Sequence, residues 1–216
     1  MNIVIFGPPG AGKGTQSDFL VARYNLFQLS TGKILRKEIK DKSKLGLEVD
    51  KIINLGNLVS DEIVGELVEK IILNKKYNNR IVFDGYPRNL SQAKNLDCLL
   101  AKYGQKIHLV LNLKTGLETI KKRISGRFSC EKCEKIYNKF FNPPPKNKDC
   151  CKEEFLKKRD DDNIDAVVKR YNTYEKETSS ILDFYKKKNL LKEVDGESSI
   201  DQIFKEISGI IALIEG

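Results

Sequence analysis

A chain of 216 residues is long enough to bury a sizeable core, and 40% hydrophobic with 32% charged residues is ordinary for a globular protein. No apolar run approaches the roughly 18 residues of a membrane span. Met1-Asn2 lead directly into an apolar run without a basic region or cleavage site, so a cytoplasmic protein is expected. The net charge of +9 suits a protein that holds several phosphates at once; much of it is lysine spread over helical text such as Lys186-Lys187-Lys188, the pattern of a solvated face.

The first element is a buried strand, Ile3-Val4-Ile5-Phe6, followed by Gly7-Pro8-Pro9-Gly10-Ala11-Gly12-Lys13-Gly14-Thr15 and an amphipathic helix reaching Tyr24. Strand, glycine-rich turn and helix make a phosphate cradle. Backbone N–H groups turn inward around an anion, the helix directs its positive end there, and a lysine reaches the terminal phosphates. Gly14 stands between Lys13 and the hydroxyl of Thr15, one residue more than the strict motif allows.

A short strand, Phe27-Gln28-Leu29, delivers Ser30-Thr31-Gly32, and the text to Val59 is helical, charged and broken at Gly46 and Gly56. With too little apolar surface for a core, it reads as a helical insertion that moves. Ser60 caps a helix with an acidic first turn and a stripe of Ile63, Val64, Leu67, Val68, Ile71 and Ile72. Ile81-Val82-Phe83 is a buried strand ending at Asp84-Gly85-Tyr86-Pro87-Arg88. A helix from Leu90 to Lys102, a strand from Ile107 to Leu111 and a helix from Leu117 to Ile124 follow. The isolated Cys98, beside Leu96, Leu99 and Leu100, is expected to pack in the core, and His108, without partners at ligand spacing, to be structural.

Beyond Ile124 the text changes to cysteines, Pro143-Pro144-Pro145 and polar aromatics. Near Asp162 it returns to a long helix (Ile164 to Lys188), a strand (Leu190 to Val194) and a closing helix. Apolar strands alternating with helices predict an α/β fold of three layers, a central parallel sheet flanked by helices, with two mobile insertions. Four of the five cysteines fall between Cys130 and Cys151, which in a reducing compartment points to metal.

Phosphoryl transfer asks a protein to align two substrates and to disperse negative charge. Arg36, Arg88, Arg123, Arg127, Arg159 and Arg170, each in or beside an insertion or strand end, suit that task because the guanidinium fork pairs bidentately with phosphate. Asp84, at a strand end where such sheets present their ligands, is placed to hold Mg2+ through water.

With these residues in hand the chain resembles the adenylate kinases, of the nucleoside-monophosphate kinase type, from residue 1 to about 212. The loop at Gly7–Thr15 is similar to that family's, Gly14 included. So are Ser30-Thr31-Gly32 with Leu35-Arg36, Asp84-Gly85-Tyr86-Pro87-Arg88, Arg123-Ile-Ser-Gly-Arg127, Phe141-Asn-Pro-Pro144 and Arg159-Asp-Asp-Asp162-Asn163.

The resemblance implies reversible transfer from MgATP to AMP, giving two ADP. Core segments 1–29, 60–121 and 163–216 would carry an AMP-binding insertion at 30–59 and a lid at 122–162, which close to exclude water. Gly10, Ala11, Gly12, Lys13, Gly14 and Thr15 would hold ATP phosphates, with Arg123, Arg127, Ile136, Tyr137 and Ser198 completing that site. Thr31, Arg36, Asn57, Leu58, Val59, Gly85, Tyr86, Pro87, Arg88 and Gln92 would hold AMP, with Arg159 and Arg170. Lys13, Asp84, Arg88, Arg127, Arg159 and Arg170 would surround the transferring group, and Asp161 and Asp162 would join the lid's closing contacts.

Two positions depart from the family pattern. Lys33 stands where an aspartate tied to hydrated magnesium is usual. In the lid, Cys130, Cys133 and Cys150 fit the spacing of a structural zinc site, and the fourth ligand is either Glu153, at the expected offset, or Cys151 in a shifted register. The expected partners are ATP, AMP and ADP, with neither nucleic acid nor membrane, acting on a monomer. A UMP/CMP kinase is the neighbouring alternative, disfavoured by Thr31 and the long cysteine-bearing lid. A zinc-knuckle nucleic-acid binder draws on Lys135, Tyr137, Lys139, Phe140 and Phe141 but leaves the glycine loop and the spaced arginines unexplained.

Overall fold

The computed structural model describes residues 1–55, 57–147, 149–159 and 162–215. In chain order the core elements are β1 (Ile3–Phe6), α1 (Lys13–Tyr24), β2 (Phe27–Ser30), α2 (Thr31–Lys40), α3 (Lys44–Asn54), α4 (Asp61–Ile72), β3 (Ile81–Asp84), α5 (Leu90–Lys102), β4 (Leu109–Lys114) and α6 (Leu117–Ser125). A small antiparallel sheet follows, from β5 (Arg127–Cys130), β6 (Ile136–Asn138) and β7 (Leu156–Lys157), before α7 (Ile164–Lys187), β8 (Leu191–Asp195) and α8 (Ile200–Glu215).

The main sheet runs β2-β3-β1-β4-β8, every pair parallel, with Ile3 opposite both Val82 and Leu109. Its central strands are hydrophobic on both faces because both faces are covered. Val4, Phe83 and Val110 belong to one cluster, while Ile3, Ile5, Val82, Leu109 and Leu111 belong to the opposite one, closed by α1 and α8. The parallel strands therefore end together, and the ends of β1 and β3 carry the glycine loop and Asp84. The predicted α/β layering holds.

Three sequence expectations need correction. The 30–59 segment was expected to lack core-forming surface, yet Leu35, Val49 and Val59 are buried in the same cluster as the sheet. Its helices α2 and α3 pack so closely that a Cβ at Gly46 would lie 2.1 Å from the carbonyl oxygen of Glu38; only glycine admits this crossing. Cys98 is exposed, because it falls on the outward side of α5 while Leu96 and Leu100 take the inward one. Strand β4 begins at Leu109 and continues to Lys114, where pairing with β8 carries it further. His108, just before it, is structural: its Nδ1 accepts a hydrogen bond from the Asn2 backbone at 3.0 Å.

Candidate active site

The loop after β1 reaches α1 through Gly12, whose φ of 100° lies in the left-handed region, so the helix starts without a side-chain cap and its first N–H groups face the loop. Lys13 folds over the loop, its Nζ donating to the carbonyl oxygens of Gly7 and Pro8 at 2.6 and 2.9 Å. Desolvation brings its pKa down to about 8; Arg88, Arg127 and Arg170 push the same way and Asp84 opposes them. Four cationic side chains from α1, the turn after β3, β5 and α7 thus converge on one anion-shaped loop with Asp84 among them. Arg36 joins the group through its influence on Arg88.

Asp84 ends β3, nearly buried at 8% exposure. Its Oδ2 accepts from Gln28 Nε2 at 3.0 Å, and the Gln28 oxygen accepts from Lys33 Nζ at 2.6 Å. Lys33 also pairs with Asp18 at 3.3 Å. The unusual lysine therefore meets Asp84 through an intervening amide that hands on a hydrogen-bond donor. Gln28 escaped the sequence reading because it looks like an ordinary strand residue; its partner is distant in sequence and adjacent only across the β2–β3 pair.

On the other side of Asp84, Thr31 Oγ1 and Arg88 Nε both donate to the Gly85 carbonyl, at 3.0 and 2.8 Å. Tyr86 is buried and is followed by a cis bond to Pro87. Gln92, in the first turn of α5, accepts from the Arg88 backbone at 2.7 Å and donates to Asp61 at 2.6 Å. Asn57 is exposed, Leu58 is half-buried, and the Val59 side chain is committed to the core.

From the small sheet's side, Arg123 bridges the Ala11 and Gly196 carbonyls at 3.1 and 2.8 Å, tying α6 to the glycine loop and to the turn after β8. Ser198 lies in that turn, its hydroxyl donating to Asp195 at 2.9 Å. A Cβ at Gly10 would touch Ile124 at 3.1 Å, and one at Gly14 would come within 3.8 Å of both Asp84 and Ile136, so β6 overhangs the loop whose next residue, Thr15, is half-buried. Arg127 pairs bidentately with Asp162, Nε to Oδ2 at 2.8 Å. Arg170 Nε reaches the Ala166 carbonyl at 3.3 Å, and the Arg159 carbonyl accepts from the Asp162 N–H at 3.1 Å. Asp161 lies outside the described residues.

Of the two expected cysteine arrangements, the structure favours the one that includes Cys151. Among the described residues, the thiols that all lie within 4.8 Å of one another are Cys130, Cys133 and Cys151. Cys150 stands at the edge, its Sγ 3.4 Å from that of Cys151 while its carbonyl accepts from Cys130, and Glu153 is exposed outside the group. The register is shifted by one residue because the turn at Asp149–Cys151 points the second cysteine inward. Tyr137 turns into the same cluster, its hydroxyl 3.2 Å from Cys151 Sγ, leaving Ile136 to face the loop. The Cys133–Cys151 separation of 3.6 Å is close to the edge of about 3.8 Å that tetrahedral Zn–S bonds of about 2.3 Å require, so these donors fit a zinc ion.

A glycine loop, a strand-end carboxylate and a ring of arginines specify phosphoryl transfer but not its acceptor. A family model described as adenylate kinase matches residues 5–190. The chain belongs to the adenylate kinase family. An adenylate kinase of Pelagibacter ubique is 48% identical over 98% of this chain and 99% of its own length. Those of Fusobacterium nucleatum and Methanosarcina barkeri are 43% and 38% identical, each comparison covering 98% of both chains. The enzyme is accordingly an α/β phosphotransferase of the adenylate kinase type, and its glycine loop, Asp84-to-Arg88 turn and arginines all lie within the matched stretch.

Proposed function

We propose that this enzyme reversibly transfers the terminal phosphoryl group of MgATP to AMP, yielding two ADP, and so balances the adenine nucleotides. The observation that carries the reading is the meeting of Lys13, Arg88, Arg127 and Arg170 around Asp84 at the glycine loop. So many cations in mutual repulsion are stabilised by a polyanion between them, and a transferring phosphoryl flanked by two nucleotides is such a polyanion.

In this reading the segments 1–29, 60–121 and 163–216 form the core, 30–59 the AMP arm and 122–162 the lid. Residues 10–15 cradle the ATP phosphates, with Arg123, Arg127, Ile136, the Tyr137 backbone and Ser198 around that nucleotide. Thr31, Arg36, the 57–59 backbone, the 85–88 turn and Gln92 take AMP. Arg88, Arg159 and Arg170 hold the phosphates in line, and Asp162 positions Arg127. The +9 charge is then the counterpart of free nucleotides rather than of nucleic acid, and the protein works as a cytoplasmic monomer. Among the described residues, no helix is long and apolar enough to cross a membrane.

Asp84 fits the magnesium that accompanies ATP: it is a hard oxygen donor whose Oδ2 is fixed by Gln28, and a carboxylate can hold the ion through a bound water. Magnesium supplies charge neutralisation on the phosphate oxygens. Zinc would be held by Cys130, Cys133 and Cys151, with Cys150 the nearest further thiol, and would staple a small sheet with little core of its own. ADP formation assayed with MgATP and AMP, UMP, CMP or GMP tests the function. A preference for AMP is expected, and equal or better turnover of a pyrimidine monophosphate would replace this reading by that of a UMP/CMP kinase.

A further inference from the structure

Helices α4 and α5 begin side by side, and their first turns share a network the sequence does not announce. Asn89 Nδ2 donates to Asp61 Oδ1 and Oδ2, both at 3.0 Å, while Asn89 Oδ1 accepts from the Gln92 backbone at 2.8 Å. Gln92 Nε2 donates to Asp61 Oδ1 at 2.6 Å, and Gln92 Oε1 accepts from the Arg88 N–H at 2.7 Å. An amide's two ends look alike, but chemistry distinguishes them here. An ionised carboxylate only accepts and a peptide N–H only donates, so the nitrogen faces Asp61 and the oxygen faces Arg88. A flip would set oxygen against carboxylate and N–H against N–H. Gln92 is 3% exposed, so water does not compensate for either loss.

After these two bonds the Gln92 amide keeps one N–H and one oxygen lone pair, always the same way round. We propose that Asp61 is a specificity-positioning residue, which locks the Gln92 amide so that the monophosphate site takes a 6-aminopurine and rejects a 6-oxopurine. This rests on the reading above, in which Gln92 belongs to the AMP site, and it assigns the free side of the Gln92 amide to the base. An amide pairs with adenine by accepting from the 6-amino group and donating to a neighbouring ring nitrogen. Hypoxanthine puts an oxygen where that amino group was. A rotatable amide would adapt by flipping; one held by a carboxylate meets oxygen with oxygen, and such a mismatch in a hydrogen-bonding site discriminates far more strongly than a lost methylene.

The test compares kcat/KM for AMP and IMP, at saturating MgATP, in the parent enzyme and in Asp61→Asn, Asp61→Glu and Gln92→Leu. Calorimetric binding of AMP and IMP alone and thermal midpoints are measured in parallel. Asparagine can present either an acceptor or a donor, so Asp61→Asn should lower the AMP-over-IMP preference by about tenfold, leave the KM for MgATP unchanged, and be partly rescued in Asp61→Glu. Should Asp61→Asn unfold, Asp61→Ser, whose hydroxyl also serves either way, carries the same expectation. Equal losses with AMP and IMP, or an unchanged ratio, would make Asp61 structural only and overturn the proposal. If Gln92→Leu keeps the parent ratio, Gln92 does not read the base and the proposal falls with it. Absence of ADP formation from AMP by the parent would instead strike the kinase reading itself.

Discussion

Lys13 turns its ammonium back onto the Gly7 carbonyl oxygen, 2.6 Å away, so the loop's own backbone occupies the lysine proposed above to meet phosphate. Because desolvation leads in holding its pKa at about 8, a bound polyanion should raise that value. Below about pH 8 the lysine is already charged and binding exchanges no proton. Above it, binding takes up a proton, and ATP affinity should fall, approaching about tenfold per pH unit. Calorimetry at pH 8.5 in two buffers of different ionisation enthalpy reads the uptake directly. Lys13→Met should abolish it and lower kcat on the order of 100-fold or more.

The Arg127–Asp162 pair joins β5 to the start of α7 with side chains only 14% and 4% exposed. Removing one partner from a buried pair leaves the other uncompensated, and Arg127 already shares a field with Lys13. Asp162→Asn should therefore cost about 3 kcal/mol in denaturant unfolding. A nonhydrolysable ATP analogue should restore more stability to this variant than to the parent, because its phosphates answer the orphaned guanidinium. Equal stabilisation of the two proteins would contradict this.

For the cysteine cluster, metal analysis of purified variants distinguishes the registers. Cys151→Ser should lose zinc and Glu153→Ala should retain it. Cys151→Ser, or a chelator applied to the parent, should lower the thermal midpoint and increase proteolysis within residues 122–162. In the native parent a thiol reagent should modify Cys98 first, since it alone of the five is exposed.

His108 gives the fold a pH dependence. Burial, then the N-terminal charge and Lys106, hold its pKa below the ordinary 6.5, and its neutral Nδ1 accepts from Asn2. As pH falls through about 6.5 the unfolded chain binds a proton before the folded one, so stability is complete above that value and declines below it until the folded imidazole is also protonated. Denaturant midpoints from pH 7.5 to 5 should show the decline, and His108→Gln should flatten that part of the curve.

Strand and helix periodicity, the Ser60 cap and the glycine-loop chemistry are local properties, and the elements they predict are found within a residue or two along most of the chain. Long-range contacts account for what was misread. Cys98 was assigned inward by its leucine neighbours, but α5 presents only one side to the sheet. The 30–59 segment looked too polar for a core because Leu35 and Val49 complete a cluster built elsewhere. Spacing left both Cys150 and Cys151 open as members of the cysteine group, and the turn at Asp149–Cys151 decides that Cys151 points inward. Gln28 and Asp61 look like ordinary strand and helix-start residues in the sequence, because the hydrogen bonds that single them out, to Asp84 and from Asn89 and Gln92, join residues far apart in the chain.

By itself the sequence determined where a glycine loop with its lysine stands, which strands are buried and which arginines are available, because glycine, lysine, β-branched and arginine chemistry is written residue by residue. Only the tertiary structure decided that Lys13, Asp84, Arg88, Arg127 and Arg170 share one electrostatic field, and that Gln28 and Gln92 each face one way. Charge interaction and hydrogen-bond direction depend on separations of a few ångströms through space, which the parallel sheet fixes by bringing its strand ends together.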